Sequence, residues 1–222
     1  MKLLITGAGG QLGKEWVHFC KQRAIRYESF DSKFLDITNS DLVKNTCERV
    51  KPDVLINCAA YTNVDQAEEE PEISKSINAV ALRNISSICK EQRIKLIHYS
   101  TDYIFSGVKE DQEKMPDGYP EDFETNPINV YGVTKREGEL EVIKSDCKFL
   151  ILRVSWLCGT FGNNFVKTMI RLGTERKELN VVNDQFGSPT FADQVVEQSF
   201  ELITQKKEGI FHLGSEGIVY LV

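Results

Sequence analysis

The chain has 222 residues, 41% of them hydrophobic and 27% charged, enough to bury the core of one domain or of a domain with a small appendage. A net charge of -6, a pI near 5.3 and no run of Lys and Arg exclude a nucleic-acid surface. Six cysteines without a Cys-x-x-Cys pair and three scattered histidines argue against a metal site or a disulfide framework, and point to buried thiols in a reducing cytosol.

The N-terminus runs directly into a strand, which leaves no signal peptide, and no apolar run approaches membrane length. A cytoplasmic protein with no membrane partner is expected. Leu3, Leu4 and Ile5 form a short run suited to a strand buried on both faces. Gly7, Gly10 and Gly13 follow, and Leu12, Trp16, Phe19 and Cys20 then fall on one helical face. Strand, glycine turn and helix in that order is the context of a dinucleotide site, with the pyrophosphate at the helix N-terminus. A P-loop is excluded, because Gly13-Lys14 leads into Glu15 rather than Ser or Thr.

Residues 26–30 read as a second strand ending at Asp31, placed to accept hydrogen bonds from an adenine ribose or to serve as a plain loop aspartate. Asn39 or Ser40 caps a helix running to Val50. Residues 54–60 read as a third buried strand whose small end, Ala59-Ala60, suits either close approach of a cofactor or ordinary packing. Glu68 to Glu70 followed by Pro71 predict a helix start, with the acids on a solvated face. Residues 95–100 form a fourth strand leading into Thr101-Asp102-Tyr103, and residues 107–127 a long polar loop that reads as a flap or binding loop. A helix is predicted over 129–144, a strand over 149–154, and an amphipathic helix opening at Asn163. A sixth strand over 179–182, a helix over 193–204 and a last short strand over 210–213 complete the chain. This alternation predicts an α/β, Rossmann-type doubly wound parallel sheet, with ligands at the C-terminal ends of its strands. Residues 1–155 make its dinucleotide-binding part, and 156–222 supply the remaining sheet elements, with no linker between them.

Tyr131 and Lys135 stand four apart on one helical face. A tyrosine titrates near pH 10, and an adjacent ammonium is expected to lower it toward the working range. Such a phenol can protonate a carbonyl oxygen while a nicotinamide delivers hydride to the carbon, and Thr101 is placed to hydrogen-bond the same oxygen.

These residues resemble the extended short-chain dehydrogenase/reductase family, through Thr6-Gly7-x-x-Gly10-x-x-Gly13 and Tyr131-x-x-x-Lys135. Further stretches are similar to its dTDP-4-dehydrorhamnose reductase branch: Gly10-Gln11-Leu12-Gly13, Leu35-Asp36-Ile37-Thr38, Ala60-Tyr61-Thr62-Asn63-Val64-Asp65, Ser100-Thr101-Asp102-Tyr103, Arg153-Val154-Ser155-Trp156 and Asp184-Gln185-Phe186-Gly187-Ser188-Pro189-Thr190. The resemblance implies reduction of the 4-keto group of dTDP-4-dehydro-L-rhamnose by NADPH or NADH, for bacterial cell-surface polysaccharide. It implies Tyr131 as proton donor, Lys135 as its tuner and ribose ligand, and Thr101 as orienter of the keto oxygen. Gly7, Gly10, Gln11, Leu12 and Gly13 then follow the pyrophosphate, Asp31 the ribose, and Asp36 and Ile37 the adenine. Ala60, Tyr61, Thr62 and Tyr99 line the cofactor, while Asp102 and Trp156 meet the sugar nucleotide. Asp31 favours a free 2′-hydroxyl, and Lys33 nearby is suited to a 2′-phosphate, so both dinucleotides fit.

A homodimer with Mg2+ at its interface is a further candidate feature from the resemblance alone. Members of the branch continue past the position of Val222, which predicts a truncated chain with an incomplete small C-terminal substrate lobe. The residues alone also admit an epimerase or dehydratase of the same superfamily, or a non-catalytic NADP-binding regulatory homologue.

Overall fold

The structure is a computed structural model, and it describes residues 1–182, 185–215 and 219–220. Asn183 and Asp184, in the stretch before Gln185, and Gly217, Ile218, Leu221 and Val222, in the predicted C-terminal lobe, lie outside the described residues.

Strands β1 (Lys2–Thr6), β2 (Arg26–Phe30), β3 (Val54–Asn57), β4 (Lys95–Thr101) and β5 (Phe149–Val154) alternate with helices α1 (Gln11–Gln22), α2 (Ser40–Val50), α3 (Val64–Glu69), α4 (Pro71–Lys75), α5 (Ala81–Gln92), α6 (Lys109–Lys114) and α7 (Val130–Lys144). The chain continues through β6 (Leu157–Cys158), α8 (Phe165–Glu175), β7 (Phe186–Gly187), β8 (Thr190–Phe191), α9 (Ala192–Thr204), β9 (Gly209–Leu213) and β10 (Val219–Tyr220). The main sheet has the order β2-β1-β3-β4-β5-β9, and every pairing in it is parallel. The order reverses beside β1, so a crevice opens there at the C-terminal strand ends.

Alternation along each strand builds two cores. Leu3, Ile5, Val54, Ile56, Ile97, Leu150 and Leu152 face Trp16, Phe19, Val195 and Val196 of α1 and α9. Leu4, Leu55, Leu96 and Ile151 face Val43, Cys47, Leu82, Ile85 and Val142 of α2, α5 and α7. Each fully buried aliphatic side chain contributes about 2 kcal/mol, so the sheet is anchored from both sides. The six cysteines are free thiols, five of them buried.

Two expectations are corrected, the strand at 179–182 and the cap of α8, and the helix start at Glu70-Pro71 stands. Residues 179–182 form no strand; Val182 is exposed, and the place beside β5 is taken by β9. A strand persists only where its backbone finds a ladder partner, and here the partner edge is already occupied. The acids and Pro71 do mark a helix start, since Glu70 is the N-cap and Pro71 the first residue of α4, while Glu68 and Glu69 close α3, which Asn63 caps. Glu68 and Glu69 are exposed as expected and Glu70 is half-buried; Glu68 Oε1 accepts from the Val130 N–H at 2.8 Å, and Glu70 Oε2 from the Tyr61 hydroxyl at 2.7 Å. The cap of α8 is Asn164 rather than Asn163.

The loop over 107–127 contains α6, and its remainder is pinned down. Phe105 stacks on Tyr119 at 4.4 Å, and Arg153 Nη1 donates to the Glu121 carbonyl at 2.9 Å. Helix α8 is amphipathic as predicted, yet none of its residues is buried: Phe165 is 48% and Ile170 65% exposed.

Candidate active site at the C-terminal strand ends

The glycine turn is built by close approach. Gly7 has φ +66°, and a Cβ there would lie 2.5 Å from the Ala59 backbone nitrogen, so turn and β3 end meet at a distance only glycine allows. The Ala8 N–H donates to Phe30 O at 3.0 Å, which fastens the turn to the end of β2. Asp31 follows immediately; its Cβ lies beside Gly9, and its Oδ1 accepts from the Lys33 N–H at 2.9 Å.

Whether a pyrophosphate fits can be judged from the start of α1. Helices α2, α7 and α8 are capped by the side chains of Asn39, Asn129 and Asn164. Gly10 sits at the N-cap of α1 and offers no side-chain acceptor, so the first-turn N–H groups face outward free of a cap, beside exposed Gly9 and Gly10. That is an anion-receptive helix end, and the residues fit a dinucleotide. Leu12 contributes backbone only, its side chain being buried in the core against α9. Gln11 reaches across: Nε2 donates to Leu157 O at 3.0 Å, and Oε1 accepts from Asn164 Nδ2 at 2.8 Å.

The other residues expected at the cofactor have partners of their own within the chain or lie at its surface. Asp36 Oδ1 is engaged by the Thr38 N–H and hydroxyl, and Ile37 is buried in the core beside Val43. Ala60 and Tyr61 are half-buried just after β3, and Thr62 is exposed. The Tyr61 N–H donates to Asn78 Oδ1 at 2.9 Å, and its hydroxyl, hydrogen-bonded to Glu70, is pushed up to about 12. The Tyr99 hydroxyl points into the core, accepting from Trp16 Nε1 and donating to Ser199 Oγ, each at 2.8 Å. Tyr99 therefore presents its carbonyl, not its ring, to the catalytic side. Trp156 adopts φ +38°, and its ring lies against Gly187, where a Cβ would come within 2.5 Å. It is half-buried between the end of β5 and β7.

Thr101 ends β4, and its hydroxyl donates to Asp102 Oδ1 at 3.0 Å while accepting from the Tyr103 N–H at 3.2 Å. Helix α7, capped by Asn129, brings Tyr131 against this turn, with its ring edge-on to Tyr103 at 5.6 Å. Gly132 makes that approach possible, since a Cβ there would fall 2.1 Å from the Tyr103 carbonyl. Lys135, 1% exposed, donates through Nζ to Tyr99 O at 2.6 Å and touches His98 Nε2 at 3.3 Å.

The electrostatics overturn one expectation. Burial pushes the Tyr131 phenol up rather than down; Thr101 opposes this, and Asp102 and Tyr103 add to it. Lys135 is not among the groups that bring the phenol down, and burial brings Lys135 itself down to about 8 against the opposing charge of Glu139. Tyr131 is thus a firmly protonated phenol, suited to giving a proton to a developing alkoxide. Burial raises Asp102 to about 6. Asn57, His98, Asn78 and Gly132 are the site-building residues that sequence reasoning missed; only Gly132, inside Tyr-x-x-x-Lys, carried a local signal.

A doubly wound parallel sheet, a glycine turn after β1 and a Tyr-x-x-x-Lys helix after β4 together define the short-chain dehydrogenase/reductase class. The profile of the RmlD substrate binding domain family matches residues 1–220. A dTDP-4-dehydrorhamnose reductase of Aggregatibacter actinomycetemcomitans is 39% identical over 98% of this chain and 74% of its own. The crystal structure of dTDP-4-dehydrorhamnose reductase from Bacillus anthracis in complex with NADP superposes with a TM-score of 0.92 at 42% identity, over 99% of this chain and 76% of that one. One from Clostridium acetobutylicum gives a TM-score of 0.91 at 40% identity, over 99% and 76%. The chain belongs to the dTDP-4-dehydrorhamnose reductase family.

Proposed function

We propose that this chain is an NAD(P)H-dependent reductase that converts the 4-keto group of dTDP-4-dehydro-L-rhamnose to the alcohol of dTDP-L-rhamnose. The observation that carries the reading is the packing of Tyr131 on the Thr101–Tyr103 turn at the end of β4, at the same C-terminal edge of the sheet as the uncapped start of α1. When bound, the reduced nicotinamide supplies a hydride to the carbonyl carbon.

The residues of the chain do the rest. Thr101 orients the keto oxygen. As the carbon–oxygen π pair moves onto oxygen, Tyr131 transfers its phenolic proton there, leaving a hydroxyl on the sugar and a phenolate on the protein. Lys135 holds α7 to β4 through Tyr99 O, so the donor is fixed before substrate arrives. Asp102 and Trp156 flank the sugar nucleotide. Asp31 and Lys33 sit together after β2 and suit either NADH or NADPH, one by accepting from a ribose hydroxyl and the other by pairing with a phosphate.

In this reading residues 1–155 hold the dinucleotide, while residues 156–222 add Trp156 and the Gln11 contacts. Among the described residues, no three His, Cys, Asp or Glu side chains gather to hold a metal within one chain. The reading routes no step through a Mg2+ ion. Among the same residues, no helix is long and apolar enough to cross a membrane.

The test is NAD(P)H oxidation with enzymatically prepared dTDP-4-dehydro-L-rhamnose, followed by loss of nicotinamide absorbance and by product analysis. Stoichiometric oxidation with formation of dTDP-L-rhamnose is expected. Release of a 4-epimer without net oxidation would assign the chain to the epimerases instead, and dinucleotide binding without any conversion would assign it to the binding-only homologues.

A further inference from the structure

Trp156 stands in a backbone conformation that bulky side chains avoid. Its φ is +38°, in the left-handed region, where a non-glycine residue is a strained exception that its surroundings must hold. Two contacts hold it. The Trp156 carbonyl accepts from the Thr190 N–H at 3.2 Å, and the preceding Ser155 hydroxyl donates to the Ser188 carbonyl at 2.7 Å. Thr190 is itself buried, and its hydroxyl donates to the same Ser188 carbonyl at 3.1 Å. The segment from Ser188 to Thr190 is thus a clasp around Ser155 and Trp156.

The ring that this backbone directs meets β7 at Gly187. A Cβ on Gly187 would lie 2.5 Å from Cε2 of the indole and 2.8 Å from both Cζ2 and Nε1. The φ of Gly187 lies outside the left-handed region, and the residue pairs with Val219 of β10. Room for the indole, and not backbone freedom, is therefore what this glycine supplies.

Register places the ring in the crevice. Val154 pairs with Thr101 across β5 and β4, and neighbouring strands run about 4.8 Å apart. Trp156 follows two residues beyond that level, on the strand next to the hydroxyl assigned to the keto oxygen. It stands beside the reacting sugar, away from the thymine at the other end of the diphosphate. A sugar ring presents C–H groups on its faces, and an indole offers a large apolar surface to cover them.

We infer that Gly187 is a positioning residue: with no side chain of its own, it seats the Trp156 indole against β7 as a wall beside the reacting sugar. What the ring meets rests on the reductase reading above; how the ring is held does not. The strained backbone then has a role, because a ring fixed before the sugar arrives loses little freedom in binding it.

The chain holds two tryptophans, and Trp16 serves as internal control, buried with its Nε1–H on the Tyr99 hydroxyl at 2.8 Å. In the nitrogen-labelled full chain, the indole N–H signal of Trp156 is identified by its loss in Trp156→Phe. Saturating dTDP-L-rhamnose, added with NADP+, should move that signal, and dTDP alone should leave it in place. Bound dTDP-L-rhamnose that leaves it unmoved overturns the inference, and this arm needs no variant to fold. A shift of the same size with dTDP alone would put the ring at the base and overturn it equally.

Gly187→Ala should displace the Trp156 signal and spare that of Trp16. It should raise KM for dTDP-4-dehydro-L-rhamnose about tenfold, the scale of one aromatic contact, with kcat and NAD(P)H affinity little changed. Combined with Trp156→Ala, it should add nothing to the loss that Trp156→Ala causes by itself. An unmoved Trp156 signal in folded Gly187→Ala, or additive losses in the pair, overturns the inference. A Trp156 signal displaced by Gly187→Ala in a chain that oxidises no NAD(P)H would uphold the seat and sink the reductase reading alone.

Discussion

Lys135 donates to the main-chain carbonyl of Tyr99 at 2.6 Å, so the ammonium is tied to β4 and not to the phenol one helical turn before it. Tyr131 is left to its burial and to Thr101, which keeps its proton in place until a stronger base develops on the substrate.

Tyr131→Phe removes the proton donor while retaining the ring that meets Tyr103 edge-on at 5.6 Å. Turnover should fall by about 10²- to 10⁴-fold, the usual worth of a general acid, with little change in melting temperature. A variant as active as the parent would remove Tyr131 from the chemistry.

Gly132→Ala should damage stability and activity together. The added methyl would stand 2.1 Å from the Tyr103 carbonyl, a backbone atom that can yield only if α7 moves off the end of β4. Overpacking of this kind costs about 1–3 kcal/mol, readable as a lowered urea midpoint. Dinucleotide binding should be weakened far less than turnover.

Asp102 gives a signed pH dependence. Its folded-state value is raised to about 6 from 3.8, so the folded state binds the proton more tightly than the unfolded state. Stability from this group is therefore present below the unfolded value and is lost as pH rises from about 4 through 6. The loss amounts to roughly 3 kcal/mol at about 1.4 kcal/mol per unit. Asp102→Asn should be more stable than the parent at neutral pH and converge with it in acid. Parallel urea midpoints across that range would refute the assignment.

Arg153 and Glu139 form a buried pair, 5% and 3% exposed, with Nη2 to Oε2 at 2.8 Å. Arg153→Met leaves a buried carboxylate without its partner and should cost about 3–5 kcal/mol, whereas Arg153→Met combined with Glu139→Met should recover most of that loss. Chemical denaturation of the two single variants and the double variant closes the cycle.

Local chemistry was legible in the sequence, and distant partnership was not. The glycine turn, the Asn39 cap and the Tyr131–Lys135 spacing involve residues within a few positions of each other, and the structure keeps all three. The strand expected at 179–182 failed because three apolar residues have no way of announcing that β9 will hold the edge beside β5. Asn57 and His98 read as interruptions in apolar strands. Their meaning depends on partners 51 and 41 residues away. The rise of Tyr131 was equally hidden, since a spacing of four shows that Lys135 shares its face but not how deeply the fold buries the phenol.

Gln11 stands where the anion-receptive end of α1 begins, and its two amide atoms already grip Leu157 O and Asn164 Nδ2. Its side chain is thus a crossbar between the first helical turn and the segment that follows β5. A ligand that reorders Gln11 must also disturb the start of β6 and the cap of α8. Because such linkage is reciprocal, a ligand beside β6 that disturbs the same contacts alters the affinity of the glycine turn by the factor by which it is itself altered. The size of that mutual effect is then a measurable property of one glutamine.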